Sequence, residues 1–321
     1  MKLYPKIKPY NKLHYEVDKL KDGTAVKLYV QMWGNKNGYP VLYLHGGPGD
    51  RITDIVPRLY DPKKYNIIAF DQRGCGKSLP KTQLEKNTTK LLIQDIERIR
   101  DGLATADKWL VTGGSWGASL SVLYAQAYPE RVSGLILRGF TDLNTHNWNN
   151  GEDFSNPGRR SLWPDRIDKL YKSVGLNYLK DTEYNWSRKT LKKSKTNRKT
   201  KKKLINTWIS DEDMSIDKIK FHDSSKDKEQ SFDIDLHYIT NNFFIKKNQI
   251  INEVNKIKDI PTIIVVGRYD VICPPIISYE FNKKLNNSEL IIVDKAGHTM
   301  HERNIQKELV DASNRIYKKL K

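Results

Sequence analysis

Apolar positions along the chain come in short runs separated by stretches of helical period. Residues 26–32 alternate apolar and polar side chains and precede Asn-Gly and Pro, which reads as an early hairpin arm. The runs at 41–44, 65–70, 109–112, 132–137, 262–266 and 290–293 are short and mostly apolar, the pattern of strands buried on both faces. Between them lie four stretches of helical character. Residues 88–103 open on Asn87-Thr88-Thr89 and place Leu92, Ile96 and Ile99 on one face. Residues 116–128 stop at Pro129, and 276–285 and 302–319 complete the set. Strand–helix alternation of this kind predicts an α/β protein with a mostly parallel central sheet flanked by helices on both faces.

The rhythm breaks between residues 141 and 247. That segment holds almost no β-run and many polar and aromatic residues, among them Trp148, Trp163, Trp186, Trp208, Phe243 and Phe244. It reads as a helical insertion between two strands of the sheet, a cap of residues 141–247 on a domain formed by 1–140 and 248–321. Within it, 188–203 carries ten Lys or Arg in sixteen residues and no acid. A solvated helix face accounts for this run; a docking patch for an anionic partner is the alternative.

Composition narrows the classes. The chain has 321 residues, enough for one large α/β domain or two small ones, and 10% aromatic residues exclude wholesale disorder. A net charge of +18 suits nucleic acid or an anionic surface, but it arises equally in a lysine- and asparagine-rich proteome, and no RNA-binding signature or Walker loop accompanies it. No nucleic-acid partner is therefore expected. Two cysteines, Cys75 and Cys273, make no disulfide framework and no CxxC pair. The N-terminus is basic without an apolar core segment, and no stretch of about 18 apolar residues occurs. The expectation is a cytoplasmic protein without a membrane span.

The candidate chemistry begins at Gly113-Gly114-Ser115-Trp116-Gly117, a G-x-S-x-G motif between an apolar strand and a helix. The serine of such a motif occupies a strained turn that lifts its hydroxyl clear of the sheet, and the helix N-terminus supports negative charge beside it. A serine hydroxyl needs a base, and the base needs an orienting carboxylate. Along chains of this architecture the order is Ser, then Asp or Glu, then His. Asp270 and His298 fit, each just beyond a strand at the carboxyl edge where such sheets bind ligands. The other histidines fit less well: His45 lies in a glycine turn, His146 and His237 in the insertion, His301 three residues past His298, and His14 and His222 in polar surroundings. Acyl transfer also requires an oxyanion hole. Trp116 offers one backbone N–H, and the turn His45-Gly46-Gly47-Pro48-Gly49 offers the second, from Gly46 first and Gly47 next.

These residues resemble the proline iminopeptidase (prolyl aminopeptidase) family of α/β-hydrolases. The matching stretches are HGGPG at 45–49, FDQRGCGKS at 70–78, NTT at 87–89, DIERIR at 95–100, GGSWGASL at 113–120, YAQAYPERV at 124–132, LILRG at 135–139, GRYDVICP at 267–274, and GH at 297–298 with Glu302. The resemblance implies an α/β-hydrolase fold with a helical cap and release of an N-terminal proline from peptides without a cofactor or metal. It implies Ser115 as nucleophile, His298 as base, Asp270 as its orienter, and Gly46 and Trp116 as oxyanion donors, with Gly47 also touching substrate. In that family two cap glutamates, in W-x-x-W-E and E-N-H-Y-F stretches, bind the substrate's free α-amine. The nearest stretches here are 208–212 and 235–239, which point to Glu212 and Asp235. An alternative alignment on 186–190 leaves Thr190 where the first acid belongs. A second departure follows the HGGPG turn, where the family often continues in glycine and this chain has Asp50-Arg51. An esterase or amidase acting on a small metabolite, and a binding protein that keeps the fold without hydrolysis, are the other readings of the same residues. The oligomeric state is not legible.

Overall fold

The structure, a computed structural model, describes residues 2–104, 106–143, 164–177, 179–181, 183–212 and 225–320, without the side chains of 183, 207–212 and 225–228. Eight strands form one sheet: β1 (Asn11–Lys19), β2 (Ala25–Gly34), β3 (Tyr39–Leu44), β4 (Tyr65–Phe70), β5 (Trp109–Gly114), β6 (Val132–Arg138), β7 (Thr262–Gly267) and β8 (Ser288–Val293). Their order across the sheet is β1-β2-β4-β3-β5-β6-β7-β8. β2 pairs antiparallel with both β1 and β4, and the remaining pairings are parallel.

The hairpin arm has its partner on the other side from the one its trailing Asn-Gly suggests. β2 pairs with β1, which precedes it, while the Asn-Gly turn leads into β3, whose neighbours are β4 and β5. β1 escapes a search for apolar runs because it is an edge strand with a single fully buried residue, Val17.

The helices are α1 (Thr89–Ile99), α2 (Trp116–Ala127), α3 (Pro164–Lys172), α4 (Glu183–Ser194), α5 (Arg198–Glu212), α6 (Ser225–Thr240), α7 (Gln249–Asn252), α8 (Pro275–Asn282) and α9 (Arg303–Leu320). Thr88 caps α1, its hydroxyl accepting from Leu91 N–H, and a π-helical stretch, Arg100–Ala104, ends the segment. The alternating side chains of each strand feed two cores. Leu42, Leu44, Ile68, Phe70, Val111 and Leu135 pack with α1 and α2 on one face. Val41, Tyr43, Ile67, Leu110, Ile136 and Val265 pack with α9 on the other, against Ile305, Leu309 and Ile316. A sheet covered on both faces requires the near-continuous apolar strands the sequence contains.

Between β6 and β7 the described secondary structure is helical. α3 to α6 enclose a third apolar cluster of Ile167, Leu170, Tyr171, Trp186, Leu204, Ile205, Phe232 and Leu236. Val271 belongs to it too, so this cluster reaches the loop after β7. Trp148 and Trp163 lie outside the described residues, as does the side chain of Trp208. Phe243 stacks on Trp116 at 5.6 Å between ring centres and packs into the sheet's own core, as do Ile234, Tyr238 and Ile239 of α6.

One buried ion pair fastens the loop after β4 to α1. Arg73 donates to both carboxylate oxygens of Asp95, at 2.6 and 2.8 Å, and both side chains are fully inaccessible. Its remaining nitrogen reaches Asp18 of β1 and the Lys86 carbonyl. Asp95→Asn leaves a buried guanidinium short of charge and is expected to cost about 3 kcal/mol in urea unfolding. Replacing both partners by apolar residues, Arg73→Met with Asp95→Leu, is expected to cost less than the sum of the two single changes.

Candidate active site

β5 is buried along its whole length and ends at Ser115, whose backbone (φ 57°, ψ −127°) turns directly into α2. A side-chain-bearing residue in that region carries about 1–3 kcal/mol of strain, so the surroundings must impose it. Two contacts do. Ser115 N–H donates to the Arg138 carbonyl at 2.7 Å, crossing to the end of β6. Gly117 lies against the carbonyls of Leu44 and His45, where a Cβ would come within 2.6 Å of the latter. Nothing larger than glycine lets α2 start that close to the end of β3.

His298 Nε2 stands 3.1 Å from Ser115 Oγ, and His298 Nδ1 stands 2.8 Å from Asp270 Oδ2. The side chains come from loops after β5, β7 and β8, and 183 positions separate serine from histidine. Asp270 is buried, and its other oxygen accepts from the N–H groups of Ile272 (3.0 Å) and Cys273 (2.7 Å). With Nδ1–H donating to Asp270, Nε2 is the acceptor that faces the hydroxyl. The loop carrying His298 is held from behind by buried Glu302, which accepts from Gly297 N–H at 2.7 Å.

Sequence reasoning assigned no role to Arg138. Its Nη1 donates to the His298 carbonyl at 2.8 Å and lies 3.3 Å from His298 Nε2. The guanidinium also occupies the space a Cβ on Gly114 would need, which accounts for the second glycine of the motif. A cation ending an otherwise apolar strand at the ligand edge was the available signal.

Gln72 was missed in the same way, and it ties the glycine turn at 45–49 to Trp116. Its Oε1 accepts from the Trp116 indole at 2.9 Å, its Nε2 donates to the His45 carbonyl at 2.9 Å, and its N–H donates to His45 Nε2 at 2.9 Å. His45 Nδ1 faces the Gly46 carbonyl at 2.9 Å. His45 is therefore a neutral, structural imidazole, donating through Nδ1 and accepting through Nε2. Burial pushes it down to about 4, against the upward pull of the Gly46 carbonyl. Gly46 and Gly47 sit beside this ring, and Trp116 opens α2, where the first N–H groups have no partner within the helix.

Of the two acids expected to bind an amine, Asp235 is buried on α6, one turn before Tyr238, whose ring lies 5.1 Å from that of Trp116. Helical spacing puts both on the face turned toward the nucleophile's helix. Glu212 ends α5, and its side chain lies outside the described residues.

A strand–turn–helix serine with this histidine and carboxylate, on a mostly parallel sheet, defines the α/β-hydrolase class. Residues 39–304 match the family described as alpha/beta hydrolase fold. A "Probable proline iminopeptidase" of Leptolyngbya boryana is 37% identical over 98% of this chain and 96% of its own length. A "Proline iminopeptidase" of Arabidopsis thaliana is 33% identical over 98% of this chain and 82% of its own. An esterase from Exiguobacterium antarcticum, at 18% identity, superposes with a TM-score of 0.61 over 95% of this chain and 100% of its own, a likeness of fold. The chain belongs to the α/β-hydrolases and, within them, to the proline iminopeptidase family.

Gln72→Leu is expected to lower kcat on an activated amide on the order of 10-fold with little change in KM, because it loosens both oxyanion-side elements without touching the triad. His45 also sets a pH dependence. Its folded pKa lies below the ordinary 6.5, so its contribution, about 3 kcal/mol, is complete above pH 6.5 and is lost as pH falls toward 4. Buried Asp71, pushed up to about 6 by desolvation, acts with opposite sign: its contribution is lost as pH rises from about 4 through 6. Between pH 4.5 and 6 the two nearly cancel, so the urea midpoint should change little in the parent, fall with rising pH in His45→Gln and rise with it in Asp71→Asn.

Proposed function

We propose that this chain is a serine aminopeptidase that releases an N-terminal residue, preferably proline, from peptides through an acyl-enzyme. The observation that carries the reading is the continuous Ser115–His298–Asp270 hydrogen-bond line. The family membership, at 37% identity over nearly the whole chain, directs it to N-terminal proline.

His298 Nε2 takes the Ser115 proton as Oγ adds to the carbonyl of the first residue. Asp270 holds the imidazole in register and stabilises the imidazolium. The oxyanion rests on the N–H groups of Gly46 and Trp116, with Gly47 lining the same turn. His298 then protonates the departing peptide amine, accepts a proton from water, and returns it to Ser115 when the acyl group leaves. Every proton in this cycle is carried by the chain or by water.

In this reading residues 141–247 form a cap over a catalytic domain of 1–140 and 248–321. Glu212 and Asp235 hold the substrate's α-ammonium, which in a closed site needs a carboxylate partner to offset its desolvation. A peptide with a free N-terminus is the partner. A cytoplasmic location agrees with two buried, unbridged cysteines, Cys75 and Cys273, and among the described residues no helix is long and apolar enough to cross a membrane.

Ser115→Ala should lower turnover of a prolyl amide by 10⁴-fold or more, to order of magnitude, and abolish labelling by a serine-reactive phosphonate. Equal turnover of free and N-acetylated prolyl amides by the parent enzyme would remove the aminopeptidase reading and leave an esterase or amidase. Glu212→Gln and Asp235→Asn should each raise KM for free-amine substrates, roughly 10-fold, with Ser115 still labelled. No change in either variant would mean that other acids hold the amine.

A further inference from the structure

The glycine turn beside the nucleophile ends in an acid. Asp50 follows Gly49 directly and is solvent-exposed. A methyl carbon built on Gly46 would lie 3.3 Å from Ser115 Cβ and 3.4 Å from Asp50 Oδ2. The nucleophile and the carboxylate thus border the same small space beside Gly46. Gly49 (φ +107°) lies against the backbone of Ser231 on α6, where a Cβ would come within 2.7 Å of the Ser231 carbonyl oxygen. Asp50 therefore stands at the seam between the turn and the helix that carries Asp235 one turn further on.

We propose that Asp50 is a specificity-determining residue that receives the free α-ammonium group of the substrate. The inference rests on the aminopeptidase reading and adds to it a residue outside the cap. In an N-terminal residue the amine is one carbon from the carbonyl that Ser115 attacks. A group that holds the amine must then lie close to the nucleophile and to the oxyanion-side glycine, which is where the Asp50 carboxylate is. The same position gives selectivity by repulsion. When the ammonium is present, it neutralises the carboxylate. When the amine is blocked, the carboxylate lies beside the oxyanion forming near Gly46 with no substrate ammonium between them. Asp50 thus favours free-amine substrates and opposes blocked ones.

The test is a ratio read within each protein: kcat/KM for proline 4-nitroanilide over that for N-acetylproline 4-nitroanilide. Where turnover of the blocked substrate is too slow, the ratio of Ser115 phosphonylation rates by free and N-acetylated prolyl phosphonates replaces it. A ratio is indifferent to the fraction of protein folded. Asp50→Asn is expected to lower it 10-fold or more, on the order of one charged hydrogen bond, and Asp50→Glu to keep most of it. A parent enzyme without preference for the free amine overturns the aminopeptidase reading and this assignment together. A selective parent whose Asp50→Asn variant is equally selective overturns the assignment alone. An equal loss on both substrates also overturns it, since it assigns Asp50 to shaping the turn.

Discussion

The site depends on one strained residue. Ser115 sits in a backbone region that an L-residue avoids, and the fold keeps it there by joining it to two neighbours in the sheet at once, through the Arg138 carbonyl on β6 and the close fit of Gly117 under β3. Because β3, β5 and β6 are adjacent and parallel, the ends of all three strands converge on the same turn. The apolar packing on both faces of the sheet supplies the stability that holds the strain. A shift of β3 against β5 would relax the turn and move His45, Gly46 and Ser115 together.

Around that turn, polar side chains mainly hold backbone. Asp270 fixes its own loop through two N–H groups before it touches His298; Glu302 fixes the loop before His298; Gln72 bridges the glycine turn and Trp116; Asp71 joins the segment after that turn to the loop after β4. Such preorganisation means that little reorganisation remains for the reaction itself. It also explains why a neutral His45 belongs here: a second imidazolium beside the oxyanion turn would lose its acceptor role toward Gln72 N–H.

The meeting of Ser115, Asp270 and His298 was legible because each lies within a few residues of the end of an apolar run, and order along the chain plus parallel strand ends fixes where such residues meet. The six apolar runs grew into strands at nearly their expected ends. β1 was not legible, since an exposed edge strand with one buried residue carries little apolar signal. Arg138 carried only the signal of a cation closing an apolar strand, and Gln72 none, because their partners, His298 and Trp116, are 160 and 44 positions away. The helical character of the described residues between β6 and β7 was legible from the lack of β-runs there. Which acids of that stretch come near Ser115 was not, because that depends on how helices joined by long connections pack against the sheet.

A chain of net charge +18 would be expected to repel a cationic N-terminus, and the resolution lies in distance. At physiological ionic strength, charges further apart than about 8 Å are largely screened. Much of the excess positive charge in the insertion sits on exposed faces of α4 and α5, and some of it does structural work: Lys193 donates to the Ser173 carbonyl and Lys189 to that of Gly175, both just past the end of α3. The acids, by contrast, crowd the carboxyl edge of the sheet, with Asp50, Asp71 and Asp270 in the loops and Asp235 on the helix above. Asp71 and Asp270 are buried and hold backbone N–H groups, Asp50 is exposed at that edge, and the lysines of α4 and α5 stand mostly in solvent. Local geometry, and not the sign of the whole molecule, then decides which end of a peptide enters first.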